Sequence, residues 1–342
     1  MKTSFTLGMP LNKSLLFGPP ADALLPATPA PNPGSYGIGF GITKQFVQEC
    51  ATVFFCARNK ERGLQAQAYL RTIDTSSCKT KPGPATFFQA DVRNITALRA
   101  FIKKAGDFDI AVNNAAVGGY GIRRLVDIED KYLQPDFAFD AIAINVYGML
   151  YSMKVELEHW EKQCKADANK CSRVMVVIGS IAGITSSPNN AVYAASKAAV
   201  NSLCKSVAME YKPPVQGVFR GDGPLNVRIN CIAPGPVNTP LMRNFGKSFS
   251  QYGSLYPWQC WKEGKNGTLV KSDGATTGPN ACPDIKLGEP INVQAFKGGQ
   301  GLTNTRMGEA EEEAAMVLNM ASDDASFVRG AVLTVDGGFT AY

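Results

Sequence analysis

Short apolar runs recur along this chain, and most are followed by a stretch in which apolar residues return every three or four positions. Ala51–Ala57 is one such run, and a helical pattern follows over 60–73. The run Ala85–Asp91 precedes a helical pattern at 96–104, Phe108–Asn114 precedes one at 137–163, and Arg173–Ile178 precedes one at 191–211. Val227–Ala233, a helical pattern at 309–320 and Ala331–Val335 complete the series. Near-continuous apolar runs of this length suit strands covered on both faces rather than one. Strand–helix alternation on this scale predicts an α/β fold. It is a doubly wound parallel sheet with helices on both faces, a three-layer Rossmann fold in a single domain.

Three stretches break the rhythm. Residues 1–33 carry seven prolines, Pro10, Pro19, Pro20, Pro26, Pro29, Pro31 and Pro33, and read as an irregular arm ahead of a domain spanning 34–342. Residues 213–225 hold Pro and Gly between a helix and a strand. Residues 246–304 are polar, rich in Gly and Asn, and contain Trp258 and Trp261. A loop of that length in a compact domain calls for a function or for disorder.

Composition narrows the chemistry. Of 342 residues, 45% are hydrophobic and 19% charged, which is too apolar for a disordered chain. The net charge of +6 is spread out, with no Lys/Arg block to hold nucleic acid or a membrane surface. No run approaches the about 20 apolar residues that span a bilayer. The single histidine, His159, stands among polar neighbours that read as the exposed end of a helix. A Ser-His-Asp triad or His-based metal centre would have to use it, so neither is expected and no metal site is predicted. The nine cysteines include no Cys-x-x-Cys pair. Cys56, Cys204 and Cys231 read as buried small hydrophobes, Cys260 and Cys282 could pair, and reduced thiols in a cytoplasmic protein are expected. The first 33 residues lack a continuous apolar core for a secretory signal, and organelle targeting by this arm stays open.

In a doubly wound sheet the ligand lies at the carboxyl ends of the strands. Gly34-Ser35-Tyr36-Gly37-Ile38-Gly39 opens a helix, where glycines let backbone N–H groups approach a phosphate. The run ahead of it that would serve as a strand, Ala23–Thr28, contains Pro26, which fits a central strand poorly. Arg58 follows the Ala51–Ala57 run, and no acid stands beside it to hold a ribose 2′-hydroxyl. An arginine there suits a 2′-phosphate, which favours NADP(H) over NAD. Tyr193 and Lys197 are four apart on a predicted helix and so share a face. A free tyrosine has a pKa of about 10, and a nearby ammonium favours the phenolate, which would make Tyr193 a usable acid/base. Ser180 ends a strand thirteen residues earlier and aims at the same sheet edge.

With these residues in order, the chain resembles the short-chain dehydrogenase/reductase family. Gly34-x-x-Gly37-Ile38-Gly39 is similar to its coenzyme loop, Asp91-Val92 to its adenine-contacting pair, and Asn113-Asn114-Ala115-Ala116 to its Asn-Asn-Ala-Gly motif. Asn145, Ser180, Tyr193 and Lys197 match its catalytic set, Pro234-Gly235-Pro236-Val237-Asn238-Thr239 its nicotinamide-contacting motif, and Asp336-Gly337-Gly338 its C-terminal signature. The resemblance implies that Ser180 polarises a substrate oxygen and that Tyr193 exchanges a proton with it. It implies that Lys197 lowers the tyrosine's pKa and holds the nicotinamide ribose. Asn145 would hold a water that relays protons from Lys197. Gly34, Gly37, Ile38, Gly39, Arg58, Asp91, Val92, Asn113, Ala115, Pro234, Val237 and Thr239 would line the coenzyme together with Tyr193 and Lys197.

The implied activity is NADP(H)-dependent interconversion of a small-molecule carbonyl and a secondary alcohol, in a homodimer or homotetramer built through the helices at 137–163 and 191–211. The chain departs from the family pattern at Pro33, which takes the place of the loop's first glycine. Alternatively, Thr28-Pro29 replaces Thr-Gly with residues 30–35 inserted. Either way the first strand reads as degraded. Ala116 replaces a glycine, and 246–304 is longer than the usual segment over the active site. Two alternatives follow: a catalytically impaired coenzyme-binding or scaffold protein, and an enoyl-thioester reductase or epimerase.

Overall fold

The computed structural model of the protein describes residues 37–78, 83–118, 124–130, 133, 140–186, 188–211, 225–239, 241 and 307–341, with the backbone of three further short strands. The first of these strands corrects the sequence reading. β1 is Lys13–Phe17, inside the arm expected to be irregular, and not Ala23–Thr28. It pairs in parallel with β2 (Thr52–Ala57) on one side and β4 (Ile110–Asn113) on the other. The segment Lys-Ser-Leu-Leu-Phe carries no proline, so every residue can donate to the ladder. Pro26 cannot, which is the physical reason the later run was a poor candidate. The first strand is therefore present rather than degraded.

The remaining elements alternate as the pattern predicts. α1 is Ile38–Gln48, α2 is Lys60–Leu70, β3 is Thr86–Gln89 and α3 is Ile95–Ala105. After β4 comes a π-helical turn, Ile142–Tyr147, running directly into α4, Gly148–Ala166. Then follow β5 (Ser172–Ile178), α5 (Ala191–Glu210), β6 (Asn226–Pro234), α6 (Ala310–Ala321) and β9 (Val332–Val335). Within the expected 246–304 insertion, the short strands β7 (Trp261–Glu263) and β8 (Leu269–Lys271) pair antiparallel. The rest of that insertion, Cys260 and Cys282 included, lies outside the described residues, as do 213–224.

The seven-stranded parallel sheet has the order β3-β2-β1-β4-β5-β6-β9. Chain direction across the sheet reverses between β1 and β4, and a crevice opens at that switch point. Strand residues alternate between two cores. Ala111 faces the side of α3, α4 and α5, with Phe101, Met153, Trp160 and Val200. Ile110 and Val112 face the side of α1, α2 and α6, with Phe46, Leu70, Ala314 and Val317. These two cores make the three layers.

His159 is not an exposed helix end. It is half-buried on α4, its ring stacked flat on Phe108 at 5.2 Å, and burial lowers its pKa.

Cys56, Cys204 and Cys231 are free and buried, as their apolar neighbours suggested. The expectation of reduced thiols throughout is corrected. Cys50–Cys78 joins the end of α1 to the segment after α2, with Cα atoms 5.7 Å apart. Cys164–Cys171 joins the last turn of α4 to the start of β5, with Cα atoms 4.6 Å apart. Sequence spacing carries no signal for either pair; the helix ends bring the cysteines together. Both lie at the amino ends of the strands, away from the crevice. The 28-residue separation closed by Cys50–Cys78 corresponds to about 3–4 kcal/mol of chain-entropy stabilisation. Thiol titration of the unreduced, denatured protein should count five thiols, or three if Cys260 and Cys282 also pair. A count of nine would mean that neither bridge forms.

Candidate active site

The carboxyl ends of five strands bring the predicted residues to one edge of the sheet. Gly37 caps α1 with extended backbone (φ −77°, ψ −178°) and no side-chain cap. The N-terminus of α1, at Ile38 and Gly39, stands at the carboxyl end of β1, a place where a phosphate group is favoured. Gly34 lies outside the described residues. One turn further on, α1 crosses α6 closely: a Cβ added to Gly41 would lie 2.9 Å from the Ala310 carbonyl oxygen.

Arg58 leaves the end of β2, its carbonyl fixed by the Gln89 amide at 2.9 Å. Asn59 caps α2 by accepting from the Arg62 N–H at 3.0 Å, which fixes where the chain turns after Arg58. The Asp91 carboxylate, after β3, accepts from the Arg93 guanidinium at 2.7 Å and from the Arg93 backbone N–H at 2.9 Å. Burial alone would raise the Asp91 carboxyl. The Arg93 hydrogen bonds and charge, with Arg58 beyond, outweigh it and hold the group below the usual carboxylate range. Val92 is buried against Gly148, where an added Cβ would meet Val92 Cγ2 at 2.6 Å. Asn113, the last residue of β4, donates to Glu156 Oε2 at 2.8 Å. Ala115, Gly148, Met149 and Ser152 surround it.

The four predicted catalytic residues meet between β4, β5 and α5. Asn145 sits in the π-helical turn, a geometry that recurs where a helix must present a functional side chain. Its side chain clamps Val117, accepting from the Val117 N–H at 2.8 Å and donating to the Val117 carbonyl at 2.9 Å. Ser180 is buried just past β5. Its Oγ accepts from the Ala182 N–H at 3.1 Å, and it hydrogen-bonds Tyr193 across the site. Tyr193 and Lys197 share one face of α5, with Lys197 Nζ 5.9 Å from the ring centroid. Nζ itself donates to the Ile178 carbonyl at 3.0 Å.

The electrostatics correct one expectation. Burial pushes the Tyr193 phenol up, and the Ser180 hydrogen bond opposes that without reversing it. Burial also brings Lys197 down to about 8, so its ammonium begins to lose its charge just above neutral pH. The lowered tyrosine expected from a lysine one turn away is not what this arrangement gives. Desolvation of both groups exceeds the effect of their proximity.

Two positioning residues escaped the sequence reading. Ser196 Oγ donates to the Tyr193 carbonyl at 2.7 Å and accepts from Asn145 at 2.9 Å, tying α5 to the π-helical turn. Asn201 donates to the Ser180 carbonyl at 3.3 Å. Continuing the four-residue spacing from Tyr193 through Lys197 leads to Asn201, so the signal for it was present.

The motif after β6 forms the wall of the site. Pro234 ends the strand, Val237 is buried and bridges to Gly308, and Thr239 Oγ1 hydrogen-bonds the Val237 carbonyl at 3.3 Å. Asn238 donates to the Glu309 carboxylate at 3.2 Å, joining this turn to the start of α6. The residues present fit a dinucleotide. The arginine past β2, the N-terminus of α1 after β1, Asn113 at the end of β4 and the turn past β6 follow one another along one edge of the sheet, on the two sides of the switch point. Such a coenzyme would be held by Gly37, Ile38, Gly39, Arg58, Asp91, Val92, Asn113, Ala115, Pro234, Val237 and Thr239. Tyr193 and Lys197 would stand at its reacting end.

Comparison with known proteins agrees with this geometry. Over 310 residues the chain is 26% identical to a 3beta-hydroxysteroid dehydrogenase of Mediterraneibacter gnavus, covering 90% of this chain and 92% of that one. It is 27% identical over 305 residues to a 7alpha-hydroxysteroid dehydrogenase of Bacteroides fragilis, covering 89% and 90%. Among solved structures, an actinorhodin polyketide ketoreductase with NADPH superposes with a TM-score of 0.65 at 20% identity, over 97% of this chain and 98% of that one. That similarity supports the fold. The family described as short chain dehydrogenase matches residues 33–248, well over half of the chain, and the chain belongs to that family of oxidoreductases.

Proposed function

We propose that the protein is an NADP(H)-dependent oxidoreductase that interconverts a carbonyl and a secondary alcohol, with Tyr193 as the acid/base. The observation that carries this reading is the meeting of Ser180, Tyr193 and Lys197 at the carboxyl edge of the sheet. When bound, the nicotinamide supplies or accepts the hydride. The chain's own residues handle the oxygen. Ser180 Oγ and Tyr193 Oη, hydrogen-bonded to each other, form a pair of hydroxyls that a carbonyl oxygen can bridge. In reduction Tyr193 gives its proton to that oxygen; in oxidation the phenolate takes it back. In this reading Lys197 holds the nicotinamide ribose beside the phenol. Asn145 keeps the proton route open by fixing the turn at Val117.

Arg58 supports NADP(H) over NAD, since an arginine fork matches a phosphate and no acid replaces it. The relatives named for hydroxysteroids support a cyclic secondary alcohol or ketone as the first substrate class to test. We propose a dimer or tetramer built through α4 and α5, where Leu150 on α4 and Tyr147 at the end of the preceding π-helical turn remain exposed. No helix among the described residues is long and apolar enough to cross a membrane. The composition favours the cytoplasm, whereas the two disulfides favour an oxidising compartment, and the thiol count above decides between them.

The function is tested by following NADPH consumption with a panel of cyclic ketones, oxo-steroids and 3-oxoacyl thioesters. Turnover of at least one class with NADPH, and slower turnover with NADH, is expected. An intact protein that binds NADPH and turns over none of them would favour the impaired-enzyme reading instead.

A further inference from the structure

The acid–base pair above does not use Glu313, which is 1% exposed on the first turns of α6. Among the described residues its Oε2 is buried with no hydrogen-bond partner. Its other carboxylate oxygen lies beside Gly308. A Cβ added to Gly308 would stand 3.8 Å from Glu313 Oε1 and 3.8 Å from Val237 Cγ2. Glu313 therefore lies beneath the Val237–Gly308 bridge, which is further pinned by the Gly308 N–H to Pro236 at 2.9 Å and the Asn238 N–H to Gly308 at 2.8 Å. This bridge holds the turn that carries Val237 and Thr239.

The charges around Glu313 are of its own sign. On α6, Glu312 accepts from the Glu309 N–H, while the Glu309 carboxylate takes Asn238. From the end of β9, Asp336 accepts from Gly338 and Thr340. The cations on the elements packed against α6 are engaged elsewhere. Lys44 of α1 pairs with Glu311 at 3.1 Å, and Arg228 of β6 donates to the carbonyls of Met320, Ser322 and Ala325. Arg173 of β5 sits at the opposite end of its strand with Asp107 and Asp109, and Asp323 lies past the end of α6.

We propose that Glu313 is a positioning residue for the coenzyme. As a neutral acid it lets the Pro234–Thr239 turn close on the nicotinamide, and its ionisation forces that turn apart and weakens coenzyme binding. This rests on the coenzyme reading given above. An ionised Glu313 would be a buried, unpartnered charge next to Glu312 and Asp336, and would face a coenzyme that brings phosphates of the same sign. Burial first, then Glu312 and Asp336, raises its pKa to about 8, so the neutral form persists at neutral pH.

The sign follows from the raised folded-state pKa. The unfolded chain ionises Glu313 near the ordinary carboxylate value of 4.5, so stability falls as pH rises from there to about 8 and then levels off. The test is NADPH affinity, by fluorescence, from about pH 6 to about pH 9.5 for wild type, Glu313→Gln and Glu313→Leu, with thermal unfolding of the coenzyme-free proteins over the same range. Wild-type Kd should rise about tenfold more than that of either variant across this range, a factor of ten being one unit of linked titration. The wild-type melting temperature should fall relative to Glu313→Gln as pH rises toward about 8. Lys197 titrates in the same window and is present in all three proteins, so only the difference between them reports Glu313. Parallel pH profiles in wild type and variants would overturn the inference while leaving the coenzyme reading intact. Absence of NADPH binding at every pH, in proteins that unfold cooperatively, would overturn both.

Discussion

Replacing Tyr193 by phenylalanine should lower carbonyl turnover by about 10²–10⁴-fold, the range that a positioned general acid supplies. Coenzyme binding should stay near wild type, because the ring that packs beside Lys197 is retained. The loss should fall on kcat, since the phenol acts on an oxygen whose charge develops in the transition state. Steady-state kinetics with a substrate found in the carbonyl panel measures both. Turnover within threefold of wild type, roughly 0.6 kcal/mol, would assign the proton to another group. The pH dependence has a definite sign. Burial raises the Tyr193 pKa, so the protonated phenol needed for reduction persists through neutral pH and is lost only well above it. Oxidation needs the phenolate and should accelerate with rising pH. Lys197, brought down to about 8, loses its charge on the way and should flatten that rise at its upper end.

Replacing Arg58 by alanine should weaken NADPH by roughly 10–100-fold, since a charged hydrogen bond contributes about 1.5–3 kcal/mol. NADH should change by less than about threefold, because it has no 2′-phosphate for the guanidinium to meet. The turn geometry should survive, as it is held by the Arg58 carbonyl and the Asn59 cap rather than by the guanidinium. Equal losses for both coenzymes would show that Arg58 supports the turn and does not select the phosphate.

The catalytic residues were legible in the sequence because their geometry is local. Tyr193 and Lys197 follow one helix face, and Ser180 ends a strand that parallel pairing aims at the same edge; Asn201, one turn further on that face, was passed over. The sheet was legible from β2 onward because each strand is a nearly unbroken apolar run. β1 was not, because Lys13–Phe17 is short and stands twenty residues ahead of Gly37, and a glycine loop directs attention to the residues just before it. What makes Lys13–Phe17 a strand is the slot between β2 and β4, a tertiary fact. The disulfides and the tyrosine's raised pKa were hidden for the same kind of reason: the first depend on where helix ends converge, the second on what the fold packs around the phenol. Glu313 reads in sequence as one of three consecutive glutamates on a solvated helix start; only the packing of α6 against the sheet buries it and leaves its two neighbours outside.

The measurement that tests the central claim most directly is a fluorescence titration of the purified chain with NADPH and with NADH. Micromolar binding of NADPH, about −8 kcal/mol, with NADH at least tenfold weaker is the predicted result. Equal affinity for the two would contradict the assignment of Arg58. Binding of neither by a folded protein would contradict the proposal that this sheet edge holds a nicotinamide coenzyme at all.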